Sequence, residues 1–162
     1  MAINKIKTIL YASDLIGYDG KEAFRVAIGQ TIANHAKLIF LNVIEPLSPS
    51  AERAVSLCLT KKELDDIRTD GFNLVEADIT ARIKEFVDEE RDSGVEVSLL
   101  SEILVEKGKP SETILKAAED KNVDMIIMGT RTHNKLSQIL LGSTAHQVLF
   151  HSKCPVLVVP IG

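Results

Sequence analysis

Five short apolar runs, separated by stretches with a helical period, constrain this chain more than any other feature. The runs are Ile6 to Tyr11, Leu38 to Ile44, Val95 to Leu104, Asp124 to Gly129 and Pro155 to Val159. They are apolar at nearly every position rather than at every second one, so they read as strands covered on both faces. After a capping Asp19, Phe24, Ala27, Ile28 and Ile32 repeat at i, i+3, i+4 spacing and predict a helix ending near Asn34. Pro46 and Pro49, with Ser48 and Ser50, mark a loop, and residues 46–60 show no clear period. Thr60 and Glu63 have the spacing of a capping box. They open a stripe of Leu64, Ile67, Leu74, Val75, Ile79, Ile83, Phe86 and Val87 that stops at Gly94, with Gly71 as the place for so long a helix to bend or break. Pro110 suits a first helical turn, with Ile114, Leu115 and Ala118 on one face. Ser143 to His151 reads as a last short helix. The order β-α-β-α-β-α-β-α-β predicts one α/β domain, a doubly wound parallel sheet with helices on both sides.

Composition narrows the function. A chain of 162 residues, 45% apolar, buries roughly 70% of its unfolded surface and needs no disulfide or metal staple. Nineteen basic residues against 23 acidic ones give a net charge of −4, which argues against a general nucleic-acid binder. Aromatics are 4% and Trp is absent, leaving few platforms for stacking bases. No apolar run approaches the roughly 20 residues of a membrane span, and Met1 to Lys5 shows no apolar signal region. Cys58 and Cys154 form no CxxC and read as free thiols in a reducing cytoplasm.

In a doubly wound sheet, ligands bind beyond the C-terminal strand ends, where the strand order reverses. Ala12-Ser13-Asp14 follows the first strand. Gly129-Thr130-Arg131-Thr132-His133-Asn134-Lys135 follows the fourth, and Gly142-Ser143-Thr144 opens the last helix. A helix start offers backbone N–H groups and the positive end of the dipole, which together favour an anion. On another reading of the same residues, Ser143 or Thr144 caps the helix and Gly142 permits the turn. A glycine at the end of a strand, Gly129, lets a ligand approach the backbone. Asp14 is placed to accept hydrogen bonds from ribose hydroxyls or a base, or to cap a turn. Arg131 and Lys135 are placed to meet phosphate charge or, as is common for loop residues, simply to be solvated. No GxxxxGK[ST], GxGxxG or GxSxG occurs, which excludes the P-loop, the usual dinucleotide fingerprint and the hydrolase elbow. His146 and His151 are five residues apart and do not share a helix face for a metal.

The start KIKTILYASDL, the strand IFLNVIEP and the stretch VEKGKPSETILKAAEDKNVDMIIMGTRTHNKLSQILLGSTAHQVLFHSKCPVLVVP resemble the universal stress protein family. The resemblance covers nearly the whole chain, residues 1–162. In nucleotide-binding members the loop runs Gly, two residues, Gly, nine residues, then Gly-Ser or Gly-Thr. Here Gly129, Thr132 and Gly142-Ser143 keep that spacing, with Thr132 in place of the middle glycine and Ala12 in place of a frequent proline. The resemblance implies a Rossmann-like fold of the adenine nucleotide alpha hydrolase type, with five parallel strands in the order 3-2-1-4-5. It also implies a homodimer and a site for ATP or a related adenine nucleotide. By position, Asp14 would hold the ribose or adenine end and Val43 would line the adenine pocket. Met128, Gly129, Arg131 and Thr132 would pass under the phosphates, and Gly142, Ser143 and Thr144 would donate to them. Any magnesium or manganese would be held by phosphate oxygens rather than by a protein cage.

Two functions follow from these residues. The first is a nucleotide-binding module in stress response or signalling, with at most weak ATP hydrolysis, since no carboxylate lies between Gly129 and Gly142 to serve as a general base. The second is a dimeric partner-binding protein that has lost the nucleotide. Its support is Thr132, where a branched residue in a left-handed loop position would be strained by roughly 1–3 kcal/mol. The final strand, apolar and flanked by Pro155 and Pro160, is the expected dimer edge.

Overall fold

The computed structural model describes residues 5–14, 20–131 and 141–161. Along the chain the elements are β1 (Thr8–Ala12), α1 (Gly20–Asn34), β2 (Lys37–Ile44), α2 (Pro49–Ser56) and α3 (Lys61–Asp92). They continue as β3 (Leu100–Lys107), α4 (Pro110–Asp120), β4 (Met125–Arg131), α5 (Ser143–His151) and β5 (Val156–Ile161). All four strand pairings are parallel and the order is β3-β2-β1-β4-β5, so the reversal falls between β1 and β4.

Alternation along each strand splits the core into two layers. Ile9, Tyr11, Leu38 and Phe40 face α1 and the end of α3, where Phe24, Ala27, Ile83 and Val87 meet them. Leu10, Ala12, Ile39, Leu41, Ile126 and Met128 face α4 and α5, where Ile114, Ala118 and Val148 meet them. Both strand faces are thus covered, which is why the runs are apolar throughout. Tyr11, Phe24 and Phe40 pack ring to ring, with centroids 5.0–5.9 Å apart.

Some boundaries depart from the sequence reading. Residues 46–60 hold a short helix, α2, with Ser48 accepting from the Ala51 N–H and Pro49 in the first turn. The capping box of Thr60 and Glu63 is formed in both directions. From it α3 continues unbroken through Gly71 for 32 residues, and it stops where Gly94 takes φ +90°. The third strand starts at Leu100 rather than Val95, because Val97 is buried in the connection as part of the α3-side core. Ile32, expected on the buried stripe of α1, is 44% exposed. Thr31 is buried in its place, its hydroxyl donating to the Ala27 carbonyl at 2.7 Å. Asp19, the expected cap of α1, lies outside the described residues.

One buried charge ties the α1–α3 layer together. Glu90 on α3 is fully buried and accepts from Arg25 Nε at 2.6 Å and Nη2 at 3.3 Å, with Lys21 Nζ 3.8 Å away. Cys58 and Cys154 are both free thiols. Among the described residues no helix is long and apolar enough to cross a membrane.

Candidate functional site

A cavity of about 350 Å³ opens at the C-terminal end of the sheet, at the reversal between β1 and β4. Its floor comes from strand residues that point toward the α4–α5 layer: Ala12, Leu41, Val43, Met128 and Thr130. Just past β1, the Ser13 peptide is held on both sides. Its N–H donates to the Leu41 carbonyl at 2.9 Å, and its carbonyl accepts from Asn42 Nδ2 at 2.9 Å. This pins the strand end at which the exposed Asp14 enters the cavity. Beneath it, the buried Tyr11 hydroxyl donates to the Gly20 carbonyl at 3.3 Å. Burial pushes the Tyr11 phenol up to about 12, with the Asp14 charge adding to the rise and a Ser13 hydrogen bond opposing it.

The opposite wall is the start of α5. Gly142 is its N-cap, with φ −59°, so no left-handed backbone is needed there. Among the described residues no side chain caps this helix: Ser143 and Thr144 are its first residues, and neither plays the capping role considered from the sequence. The Gly142 N–H donates instead to Thr130 Oγ1 at 3.2 Å, which couples the end of β4 directly to the start of α5. Thr130 is buried, and it is the polar group that fixes this corner. The first intrahelical bond runs from His146 N–H to the Gly142 carbonyl. Among the described residues, no hydrogen bond uses the N–H groups of Ser143, Thr144 or Ala145. A helix start in this state carries partial positive charge and open donors. The first turn of α4 lines the same cavity through Pro110 and Ile114, and it too lacks a side-chain cap. Two helix N-termini therefore converge on one volume.

Nine of the residues singled out from the sequence line this cavity: Ala12, Ser13, Asp14, Val43, Met128, Gly129, Gly142, Ser143 and Thr144. Arg131 is the last residue of β4, while its side chain and all of Thr132 lie outside the described residues. Gly129 is inside β4, not at its end, and pairs with Val159. Its missing side chain answers to packing on the other face. A methyl there would overlap Ile161 Cδ1 and meet Ala23 Cβ at 3.7 Å. Glycine thus lets the end of β5 tuck beneath α1, and only its backbone borders the cavity.

Sequence reasoning passed over Leu41, Glu45, Pro110, Ile114, Ala145 and Ile161, which also line the cavity, and it named Thr130, another lining residue, only within the stretch after the fourth strand. The strand period marks Leu41 as a partner of Val43, and Pro110 follows the next strand toward the same end of the sheet. Among the described residues no group of three or more His, Cys, Asp or Glu side chains is placed to hold a metal ion.

A parallel sheet in this order, with an apolar cavity and an open helix start at its reversal, has clear relatives. The model of the universal stress protein family matches residues 5–160. The universal stress protein MJ0577 of Methanocaldococcus jannaschii is 30% identical over 160 residues, covering 94% of this chain and 96% of that one. Its solved structure superposes with a TM-score of 0.70 at 27% identity, covering 98% and 99% of the two chains. A universal stress protein solved in complex with cAMP matches at TM-score 0.61 and 21% identity, over 97% of this chain and 98% of that one. Another, from Archaeoglobus fulgidus in complex with dAMP, matches at 0.58 and 20%, over 96% and 99%. At those identities the last two show the shared fold. The chain belongs to the universal stress protein family.

Proposed function

We propose that this protein binds ATP or a related adenine nucleotide in the cavity between β1 and β4, and acts as a nucleotide-binding module in stress response or signalling. The observation that carries this reading is the uncapped start of α5 facing Asp14 across an apolar cavity. The donor set fits such a ligand end to end. Phosphate oxygens would accept from the open N–H groups of Ser143, Thr144 and Ala145 and from the two hydroxyls. The base would lie against Val43, Leu41 and Ile114. The Asp14 carboxylate would accept from the ribose hydroxyls. A magnesium or manganese ion would reach the site on the phosphates. Family members with cAMP and dAMP support an adenine ligand for this fold. Thr132, by its spacing from Gly129, would pass under the phosphates as the resemblance implies.

The same reading includes a homodimer through β5 in the cytoplasm. The Ile126 N–H donates to the Pro155 carbonyl, so 155, 157, 159 and 161 turn their peptide groups toward β4. Val156, Val158 and Pro160 then turn theirs to the open edge. Pro160 loses no ladder bond in this position, and it ends any added pairing after Val158. Two copies related by a two-fold axis would exchange bonds between Val156 and Val158. Sedimentation equilibrium at micromolar concentration is expected to show a dimer, and a monomer there would contradict this arrangement.

The nucleotide reading is tested by acid extraction of the freshly purified protein followed by chromatography of the released bases. Adenine nucleotide in stoichiometric amount is expected. A protein that releases none, and that takes up neither ATP nor AMP when they are added, contradicts it.

A further inference from the structure

We infer that the first half of α3 is a docking face for a cationic amphipathic helix of another protein, a surface separate from the nucleotide cavity. The helix is about 48 Å long at 1.5 Å per residue. Only its later turns bury side chains, with Ile83, Val87 and Glu90 turned into the domain. Phe72 lies beside Lys107, the last residue of β3, whose Nζ sits 5.8 Å from the ring centroid. In the turn before Phe72, Arg68 pairs with Glu52 of α2 at 2.7 Å.

Along these early turns a second apolar stripe points away from the domain. Ile67 is 51% exposed, Leu74 72% and Val75 44%. They are spaced i, i+7 and i+8, and Gly71 fills the place between them, so all four share one helix face. A methyl added at Gly71 would meet only Ile67 Cγ2, at 4.0 Å. The stripe thus has a notch at its centre, open to the close approach of another helix. An apolar face of this kind on a soluble domain marks an interaction surface.

Charge decides what covers it. The first half of the helix, residues 61–76, holds five acidic and three basic residues, a net −2. Glu63 and Asp70 stand four residues before and three after Ile67, and Asp78 stands four after Leu74. Asp78 pairs with Arg82 at 2.9 Å, whereas among the described residues Asp70 has no ion-pair partner. A second copy of this chain would bring the same carboxylates together, and an anionic membrane would repel them. A helix with leucine-like residues at i, i+4 and i+7 and Lys or Arg beside them matches both the stripe and its acidic border.

The test uses the full-length protein and two labelled 18-residue peptides of leucine and lysine with identical composition. One places leucine at helical spacing; the other alternates leucine and lysine. Fluorescence anisotropy is expected to show the helical peptide binding at least tenfold more tightly than the alternating one. The double variant Ile67→Ser, Leu74→Ser is expected to lose about tenfold or more in affinity, with unchanged melting temperature because both side chains are exposed. Asp70→Asn is expected to reduce the salt dependence. Equal binding of the two peptides, or equal binding by wild type and the Ser variant, overturns the proposal. So does a dimer of the wild type that the Ser variant dissolves, since the occupant would then be a second copy.

Discussion

The cavity and the early turns of α3 lie toward the same end of the sheet and are built in opposite ways. The cavity is concave, and its polar character comes from backbone: strand ends and two uncapped helix starts, with Asp14 and Thr130 adding side chains. The α3 face is convex and consists wholly of side chains, apolar ones bordered by carboxylates. A backbone site is set by the fold and tolerates drift in side chains, provided that the corner stays in place. A side-chain face is independent of the fold and is lost by changing two residues. The molecule thus has a cavity tied to its core and a second surface free of it.

That contrast is sharpened most by truncating the same helix at its two ends. Ile83→Ala, in the buried part of α3, is expected to cost about 2–5 kcal/mol of unfolding free energy. Leu74→Ala, nine residues earlier, is expected to change it by less than about 0.5 kcal/mol. Urea unfolding of the pair measures both, and similar costs would break the division of α3 into a core part and a surface part.

Tyr11 is buried in the core on the α1 side of the sheet, and it gives a pH signature. Its phenol is raised to about 12 from 10.0, so the folded state holds the proton longer than the unfolded one. Stability from this group is complete below pH 10 and falls as pH rises from 10 to 12, by about 2–3 kcal/mol. Tyr11→Phe is expected to remove that part of the alkaline slope. Parallel slopes for the two proteins above pH 10 would show that the hydroxyl is not held as described.

A smaller effect is expected at the corner itself. Thr130→Val keeps the shape but takes away the acceptor for the Gly142 N–H, a bond worth about 0.5–1.5 kcal/mol. Nucleotide affinity is expected to fall a few-fold while the melting temperature shifts by only a few degrees. An unchanged affinity by calorimetry would mean that α5 is held in place without Thr130.

How much of this was legible in the sequence depends on what each residue reports. The strands covered on both faces announce themselves by unbroken apolar runs, and the starts of α3, α4 and α5 by the capping box, Pro110 and Ser143. The edge strand β3 was misplaced by five residues because Val95 and Val97 look like strand, whereas Val97 serves the core from a connection. The stripe in α3 was legible, but a period does not say whether both ends of a helix have something to cover. At the site, Asp14 and the Gly142-Ser143-Thr144 step stood out because ligand chemistry at a strand end or helix start uses those residue types. Thr130 and Pro110 did not, since their contribution depends on what the fold places opposite them. Gly129 has a packing reason that the sequence does not announce: its missing methyl makes room for Ile161.

The central claim is that the cavity holds an adenine nucleotide through Asp14 at one end and the start of α5 at the other. Isothermal titration of ATP into the wild type and into Asp14→Ala tests it directly. Loss of a charge-assisted hydrogen bond of about 1.5–3 kcal/mol predicts that the variant binds about tenfold more weakly or worse. Its melting temperature is expected to match that of the wild type, because Asp14 is exposed at a strand end. Equal dissociation constants for the two proteins, or no binding by the wild type, would contradict it.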